Sequence, residues 1–205
     1  MHRHLMILAT LFIALAAFAQ DPIPSRGVRI DENFDHRASI AATRLIPLGG
    51  NGQLSLVNTT NGGKRLRLKG NTGFALPTGR GTRFALSFDL ERGANGGRFL
   101  LGDDRDSQHG FSRTLAVGPN GLLSIAGHGT KTKLRVGTIY HVQLIWHWVS
   151  PTSFVLEQVA ITGRGLTFQR SPSKTLRGAI GRPIPFRHEG SSSAFLDNLV
   201  LRTLR

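Results

Sequence analysis

The sequence predicts an all-β protein, an antiparallel sandwich in a single domain, and three observations carry that prediction. Apolar and polar residues alternate with a period of two in several stretches, residues 84–91 and 139–148 among them. Turn-forming pairs such as Asn120-Gly121 separate these stretches at the spacing typical of sandwiches. After the first twenty residues, no segment keeps a helical period for more than two turns. The 25 glycines suit many tight turns between short strands.

The first nineteen residues have the pattern of a secretory signal peptide. Arg3 precedes an apolar run over residues 5–19, which ends in Ala17-Phe18-Ala19. This run is shorter than the ~20 residues that a spanning helix needs, although an uncleaved membrane anchor is the alternative. We expect residues 1–19 to be removed. Residues 20–205 then form one exported domain that is secreted or held in the periplasm or cell envelope, with no transmembrane segment.

The first half of the mature chain contains clear strand signals. Residues 65–69 and 84–91 alternate strictly between polar and apolar side chains. Leu115–Val117 and Leu122–Ile125 are predicted to pair as a hairpin, because Asn120-Gly121 supplies the positive φ angles of a tight turn.

The second half contains the longest run, residues 139–148, and a second strand over residues 154–161. The apolar phase of that second strand slips near Gln158, which indicates a bulge. Residues 170–190 are rich in Pro and Arg and are expected to form a long surface loop. Residues 194–202 close the chain, and apolar residues on both faces predict a central strand buried on both sides.

The composition bounds the chemistry. The absence of cysteine excludes a disulfide scaffold, thiolate zinc and a cysteine nucleophile. The chain has 26 Lys and Arg against 12 Asp and Glu, a net charge of +14, which predicts attraction to polyanions unless it is only a property of the surface. Nucleic acid is a poorer partner than an anionic glycan, because of the export signal and because no exposed aromatic platform accompanies the basic residues.

Three short motifs resemble a known group of sandwiches. Residues 30–35 and 195–201 look like the terminal strands of jelly-roll carbohydrate-recognition domains. Residues 137–144 resemble the G-x-W-Y-H-V strand of laminin-G-like and concanavalin A-like lectin/glucanase domains, with Ile139 in place of Trp. The resemblance implies an antiparallel jelly-roll β-sandwich. That fold carries lectins, glycosidases, lyases and adhesion modules alike, so it leaves the activity open.

Two catalytic arrangements of that fold have counterparts here. Asp89 and Glu91 share one strand face, as a glycosidase pair requires, but no third acidic residue follows them. Tyr140 and His141 are the residue types of a lyase acid and base, but neighbours in a strand point to opposite faces. No residue is therefore assigned as catalytic. Tyr140 shares its face with Trp146 and Trp148, and core packing is favoured over a sugar-stacking platform.

Metal sites are predicted for calcium rather than zinc. His141 and His147 lie six strand residues apart, roughly 20 Å, and cannot ligate one ion. Oxygen ligands for a structural Ca²⁺ are offered by two acidic sets. The first is Asp103, Asp104 and Asp106, and the second joins Asp31, Glu32 or Asp35 to Asp197. The alternative for the second set is a turn or bulge at Asp197-Asn198.

Basic ladders are the most distinctive surface feature. One strand carries Arg65, Arg67 and Lys69 on one face, and another carries Lys131, Lys133 and Arg135. If the strands were neighbours, an anionic ligand would relieve their repulsion; otherwise both ladders are solvated faces. A second candidate glycan surface is the polar face of residues 139–148, with His141, Gln143 and His147.

These observations favour an exported, non-catalytic, lectin-like module that binds a polysaccharide or cell-envelope glycan, plausibly an anionic one. The alternatives are a polysaccharide lyase or glycoside hydrolase of the same fold, and an adhesion or structural module that contacts protein.

Overall fold

The structure is a computed structural model that describes residues 28–79, 81–94, 96–102, 112–178 and 181–205. The predicted signal peptide, residues 1–19, lies outside the described residues. None of the helical structure in this part of the chain is long and apolar enough to cross a membrane. One short 3-10 turn spans Ile40–Ala42. The strands are β1 (Val28–Glu32), β2 (Ile46–Leu48), β3 (Gln53–Asn58), β4 (Lys64–Lys69), β5 (Thr72–Leu76), β6 (Arg83–Arg92), β7 (Gly97–Leu101), β8 (Leu115–Val117), β9 (Leu122–Ile125), β10 (His128–Lys133), β11 (Ile139–Ser150), β12 (Ser153–Gly163), β13 (Leu166–Arg170), β14 (Lys174–Arg177), β15 (Ile184–Gly190) and β16 (Ser193–Leu204).

The strands form two antiparallel sheets, as the sequence predicts. The large sheet has nine strands in the order β13-β12-β11-β6-β16-β4-β3, with β1 added to β16 and β14 added to β12. The small sheet has seven strands in the order β10-β9-β8-β7-β15-β5-β2. The all-β jelly-roll sandwich is thereby confirmed. The two ends of the described chain, β1 and β16, pair with each other, as expected for terminal strands of a jelly roll.

The core lies between the two sheets and is rich in aromatic rings. Phe88 of the large sheet packs against Phe99 and Phe186 of the small sheet, with ring centroids 6.1 and 5.5 Å away. Burying such a side chain contributes about 1.5–3 kcal/mol. Trp146 and Trp148 are also buried, which confirms that they pack in the core rather than forming an exposed stacking platform.

Local predictions for the second half of the chain have mixed outcomes. The hairpin of β8 and β9 forms, and the register of β12 shifts between Leu156 and Gln158, so the bulge is confirmed. The long loop predicted for residues 170–190 is wrong, because this segment contains both β14 and β15. Strand β15 lies between β7 and β5 even though it includes Pro185, and its Pro and Arg content hid a buried alternation.

The closing strand β16 is central, between β6 and β4, as predicted. Burial on both sides is wrong, because a β-bulge shifts the register between Asp197 and Val200. The extra residue reverses the phase of the strand. Leu196 and Leu199 therefore both face the core, while Val200 lies on the outer, half-buried face.

Candidate functional site

The candidate site is a depression of about 410 Å³ on the outer face of the large sheet. We call it the polar groove. Asn58, at the end of β3, and loop residues 59–61 form one wall. Its floor comes from adjacent strands and includes Arg65 of β4, Asp89 and Glu91 of β6, and Phe195 and Asp197 of β16.

Strand register sets three polar side chains in a row on the outer face of the large sheet, and two of them, Asp89 and Asp197, line the polar groove. His141 of β11 pairs with Asp89 of β6, and Asp89 pairs with Asp197 of β16. Residues directly opposite each other in an antiparallel sheet have Cβ atoms about 4.5–5.5 Å apart. In the sequence, His141 lies 52 positions and Asp197 lies 108 positions from Asp89. Only the order of the strands in the sheet brings these three side chains together.

Asp89 is the centre of this row. His141 Nδ1 lies 2.9 Å from Asp89 Oδ1, and Asn198 Nδ2 donates to Asp89 Oδ2 at 2.8 Å. Burial alone raises the pKa of Asp89, but the hydrogen bonds from His141 and Asn198 outweigh it and the pKa is lowered. Asp89 is thus an ionised carboxylate with both oxygens held in place.

Asp197 has the opposite character. Burial raises its pKa to about 6, and the negative charges of Asp35 and Asp89 add to that rise. The hydrogen bond from Asn198 N to Asp197 Oδ1, 2.8 Å long, and the charge of Arg65 oppose it. The polar groove therefore places a carboxyl group that protonates in mildly acidic solution beside an ionised one.

The β-bulge in β16 positions both Asp197 and Asn198. Asn198 has a φ of 49°, in the left-handed region that Asn tolerates better than most residues. The bulge turns the Asn198 amide toward Asp89, while Asp197 remains on the outer face. Bulges commonly redirect a side chain in this way next to functional sites.

The opposite part of the floor combines charge with an aromatic ring. Arg65 Nη1 donates to Glu91 Oε2, and the Arg65 guanidinium lies over the ring of Phe195, 4.0 Å from its centroid. Ile139, at the rim, is 57% exposed. The polar groove thus offers acceptors, donors and an apolar edge within one depression.

The polar face predicted for β11 exists, but its histidines have separate partners. His141 is bonded to Asp89 as described, whereas His147 Nδ1 lies 2.6 Å from Glu157 Oε1, in a cluster with Arg83. Gln143 lies between them on the same half-buried face. Tyr140 faces the core, where its hydroxyl accepts from Arg135 N at 2.9 Å, so it cannot act with His141 on a substrate.

The basic ladders do not form one surface. Arg65, Arg67 and Lys69 belong to β4 in the large sheet, whereas Lys131 and Lys133 belong to β10, at the edge of the small sheet. Arg135 follows β10 and lies outside any strand. Arg65 pairs with Glu91 and Arg67 donates to Gln53 Oε1, so the first ladder already has partners within the sheet. The two ladders are therefore not on neighbouring strands, and they do not repel each other across a shared strand pair.

The acidic residues proposed for calcium are only partly brought together. Asp31 is exposed, while Glu32 points inward and accepts from Arg37 Nε at 2.8 Å and Arg44 N at 3.1 Å. Asp35 accepts from Lys64 N, and of the three it alone is close enough to act on the pKa of Asp197.

No group of three His, Asp or Glu side chains in the described part of the chain is placed to hold a metal ion. The bulge at Asp197-Asn198, the alternative to the second acidic set, is what the structure contains. Asp103, Asp104 and Asp106 lie outside the described residues, and a calcium site there stays a prediction.

Sequence reasoning missed the role of Asn198. Its signal was present, because an Asp-Asn pair interrupts an otherwise apolar strand, but nothing in the sequence links it to Asp89, 109 positions away.

Comparison with known proteins shows the fold. No protein-family model and no curated protein matches the chain. Among solved structures it is similar to a PL-14 alginate lyase from Aplysia kurodai, with a TM-score of 0.50 and 11% identity over 74% of this chain and 87% of that one.

Two further matches are more distant. The carbohydrate recognition domain of Emp47p has a TM-score of 0.46 and 11% identity over 88% of this chain and 98% of that one. The Bacillus licheniformis beta-glucanase has a TM-score of 0.44 and 11% identity over 89% of this chain and 100% of that one. At 11% identity, the likeness to the alginate lyase concerns the jelly-roll fold alone.

Proposed function

We propose that this protein is an exported carbohydrate-binding protein that holds a glycan in the polar groove. The observation that carries the proposal is the convergence of Asp89, Asp197 and Arg65 on one depression of the large sheet. The Asn198 amide holds Asp89 there, and Asn58 and Asn61 add amides to the lining. Sugar hydroxyls both donate and accept hydrogen bonds, and a groove with carboxylates, an amide and a guanidinium matches both roles. Export is supported by the signal-peptide pattern of residues 1–19.

The charge of the polar groove favours a neutral glycan there. Among its described lining residues are three carboxyl groups, those of Asp89, Glu91 and Asp197, against one guanidinium, that of Arg65. An anionic sugar would meet the ionised Asp89 and would have to overcome that repulsion. This refines the expectation of an anionic ligand, at least for this site.

The test is binding of neutral and acidic oligosaccharides to wild type and to Asp89→Asn. Loss of a charge-assisted hydrogen bond costs about 1.5–3 kcal/mol, so the variant should bind a neutral oligosaccharide about 10- to 100-fold more weakly by calorimetry. Glu157→Gln is the matched control, because Glu157 is also bonded to a β11 histidine but lies outside the polar groove. Equal losses in both variants, or no neutral ligand at all, would refute the proposal.

A second candidate function is hydrolysis of the glycosidic bond. It is favoured by the opposite pKa shifts of the neighbouring Asp197 and Asp89, which is the pattern of an acid and a carboxylate in such enzymes. Asp197 would give its proton to the leaving glycosidic oxygen as the bond to the anomeric carbon breaks. Asp89 would stabilise the positive charge that develops on that carbon. Water would then add its hydroxide there and return a proton to Asp197.

Release of reducing ends by the wild type distinguishes hydrolysis from binding alone. If the protein is a hydrolase, Asp197→Asn should abolish release while a neutral oligosaccharide still binds. No release by the wild type from any glycan that it binds would leave the non-catalytic function standing.

A further inference from the structure

Two further depressions lie near the edge of the large sheet where β14 pairs with β12. They have volumes of about 520 and 420 Å³ and share Ala126 and Lys174 in their walls. We call them together the basic cleft. Its basic lining residues are Arg113, His128, Arg170, Lys174 and Arg177. No Asp or Glu is among the described residues that line it.

Three cations of the basic cleft, Arg170, Lys174 and Arg177, differ from the arginines that pair with glutamate. Elsewhere, Arg37, Arg65, Arg83 and Arg98 each form an ion pair with a glutamate. Lys174 Nζ instead donates to Ala126 O at 3.2 Å and to His128 Nε2 at 2.8 Å. Within the described ranges, no carboxylate comes within ion-pair distance of Lys174, Arg170 or Arg177.

The cations are held on a fixed part of the fold. Strand β14 pairs with β12, and Leu176 between Lys174 and Arg177 is buried. Ser112 ties the other side, since Ser112 N donates to Arg177 O at 2.8 Å and Arg177 N donates to Ser112 Oγ at 2.9 Å. An anion bound there would meet positive charge without first having to order the backbone.

The remaining lining residues indicate the kind of anion. Hydroxyl groups of Ser153, Ser171, Ser173 and Thr175 line the same depressions and can hydrogen-bond to sugar hydroxyls. No Phe, Tyr or Trp lines them in the described part of the chain, so bases would lack the large aromatic surfaces on which they stack. Carboxylate or sulfate groups on a sugar chain suit this combination better than a nucleic acid.

We propose that the basic cleft is a second binding site, for an acidic polysaccharide, that acts independently of the polar groove. The two sites then divide the chemistry between them. The carboxylate-rich groove binds a neutral glycan, and the basic cleft, whose described lining residues include no Asp or Glu, binds an anionic one. A protein with both would attach to an acidic matrix while engaging a different sugar.

The test compares two triple variants of the full chain that each remove three positive charges. The first is Arg170→Gln, Lys174→Gln and Arg177→Gln. The control is Lys69→Gln, Arg164→Gln and Arg182→Gln, which are exposed positions outside the cleft. The probes are polygalacturonate, dextran sulfate, uncharged dextran and single-stranded DNA, at about 0.15 M salt, where long-range attraction is screened.

We expect the cleft variant to bind polygalacturonate or dextran sulfate at least about tenfold more weakly, mainly through a faster off-rate, and the control variant to change less than about twofold. Binding of a neutral glycan in the polar groove should stay unchanged in both variants, which separates this inference from the proposed function. Thermal unfolding checks that both variants fold, and Lys174→Arg, which keeps the charge, should retain binding.

Equal weakening in the two triple variants would show that the total charge of +14 is responsible and would overturn the proposal. Tighter, cleft-dependent binding of single-stranded DNA than of either acidic polysaccharide would overturn the assigned ligand class.

Discussion

Two histidine–carboxylate pairs lie on the outer face of the large sheet, and their comparison separates a structural cluster from a candidate binding site. Strand β11 supplies both histidines. His141 Nδ1 is 2.9 Å from Asp89, and His147 Nδ1 is 2.6 Å from Glu157. In each pair, burial raises the pKa of the carboxyl group and hydrogen bonds more than offset it, so the pKa is lowered.

The pairs differ in what completes the carboxylate's surroundings. Arg83 donates to Glu157 from Nε and Nη2, at 3.1 and 2.7 Å to Oε2, which balances the charge with a guanidinium. Asp89 receives a neutral amide from Asn198 instead and faces a second acid, Asp197. The first cluster is complete within the protein. The second leaves negative charge and hydrogen-bonding capacity directed at the polar groove, which is the capacity a ligand uses.

The largest expected effect comes from the residue that distinguishes the two clusters. Asn198→Val removes the amide that holds Asp89 and places a β-branched residue at a φ of 49°. Such strain costs about 1–3 kcal/mol, and glycan binding in the polar groove should fall by about tenfold or more. Chemical denaturation and calorimetry measure the two effects.

Asn198→Gly separates these two causes. Glycine adopts the left-handed conformation freely, so this variant should keep nearly wild-type stability and still lose binding. Wild-type affinity in Asn198→Gly would show that the amide has no role at the site.

The bulge also marks how far sequence reasoning reaches. Alternation and turn residues predict the strands because burial on one face is a local, period-two constraint. They fail for β15, where Pro185 breaks the pattern, and for the phase of β16, where one extra residue at Asn198 reverses it. The row His141–Asp89–Asp197 depends on the order of strands in the sheet. That order comes from long-range packing, and no local pattern encodes it.

The next effect is a pH dependence of opposite sign in the two clusters. The pKa of Asp197 rises on folding from 3.8 to about 6, so its contribution to stability is fully present below about pH 4 and is lost as the pH rises through 6. Asp197→Asn removes this loss. Relative to wild type, the free energy of unfolding of the variant should rise by about 1–3 kcal/mol between about pH 4 and pH 7.5. The lower end of this gain allows for screening by water, because Asp197 is partly exposed.

Urea unfolding of both proteins across that range measures the gain. A difference between them that does not change with pH would mean that Asp197 titrates as an ordinary surface carboxylate, and the contrast with Glu157 would disappear.

The smallest expected effect concerns the complete cluster. The pKa of Glu157 is lowered, so its contribution is present above its unfolded pKa and lost as the pH falls through the folded value. The Glu157 and Arg83 side chains are 26% and 42% exposed, and water screens their attraction. Glu157→Gln should therefore lower the free energy of unfolding by only about 0.2–1 kcal/mol at neutral pH, and by almost nothing in acid, where Glu157 of the wild type is also protonated.

Because Glu157 lies outside the polar groove, the affinity of the Glu157→Gln variant for a neutral glycan should stay within about twofold of wild type. If Glu157→Gln instead weakened binding as much as Asp89→Asn, the ligand would have to span the whole outer face of β11. The His147 cluster would then be part of the binding surface rather than a local ion pair.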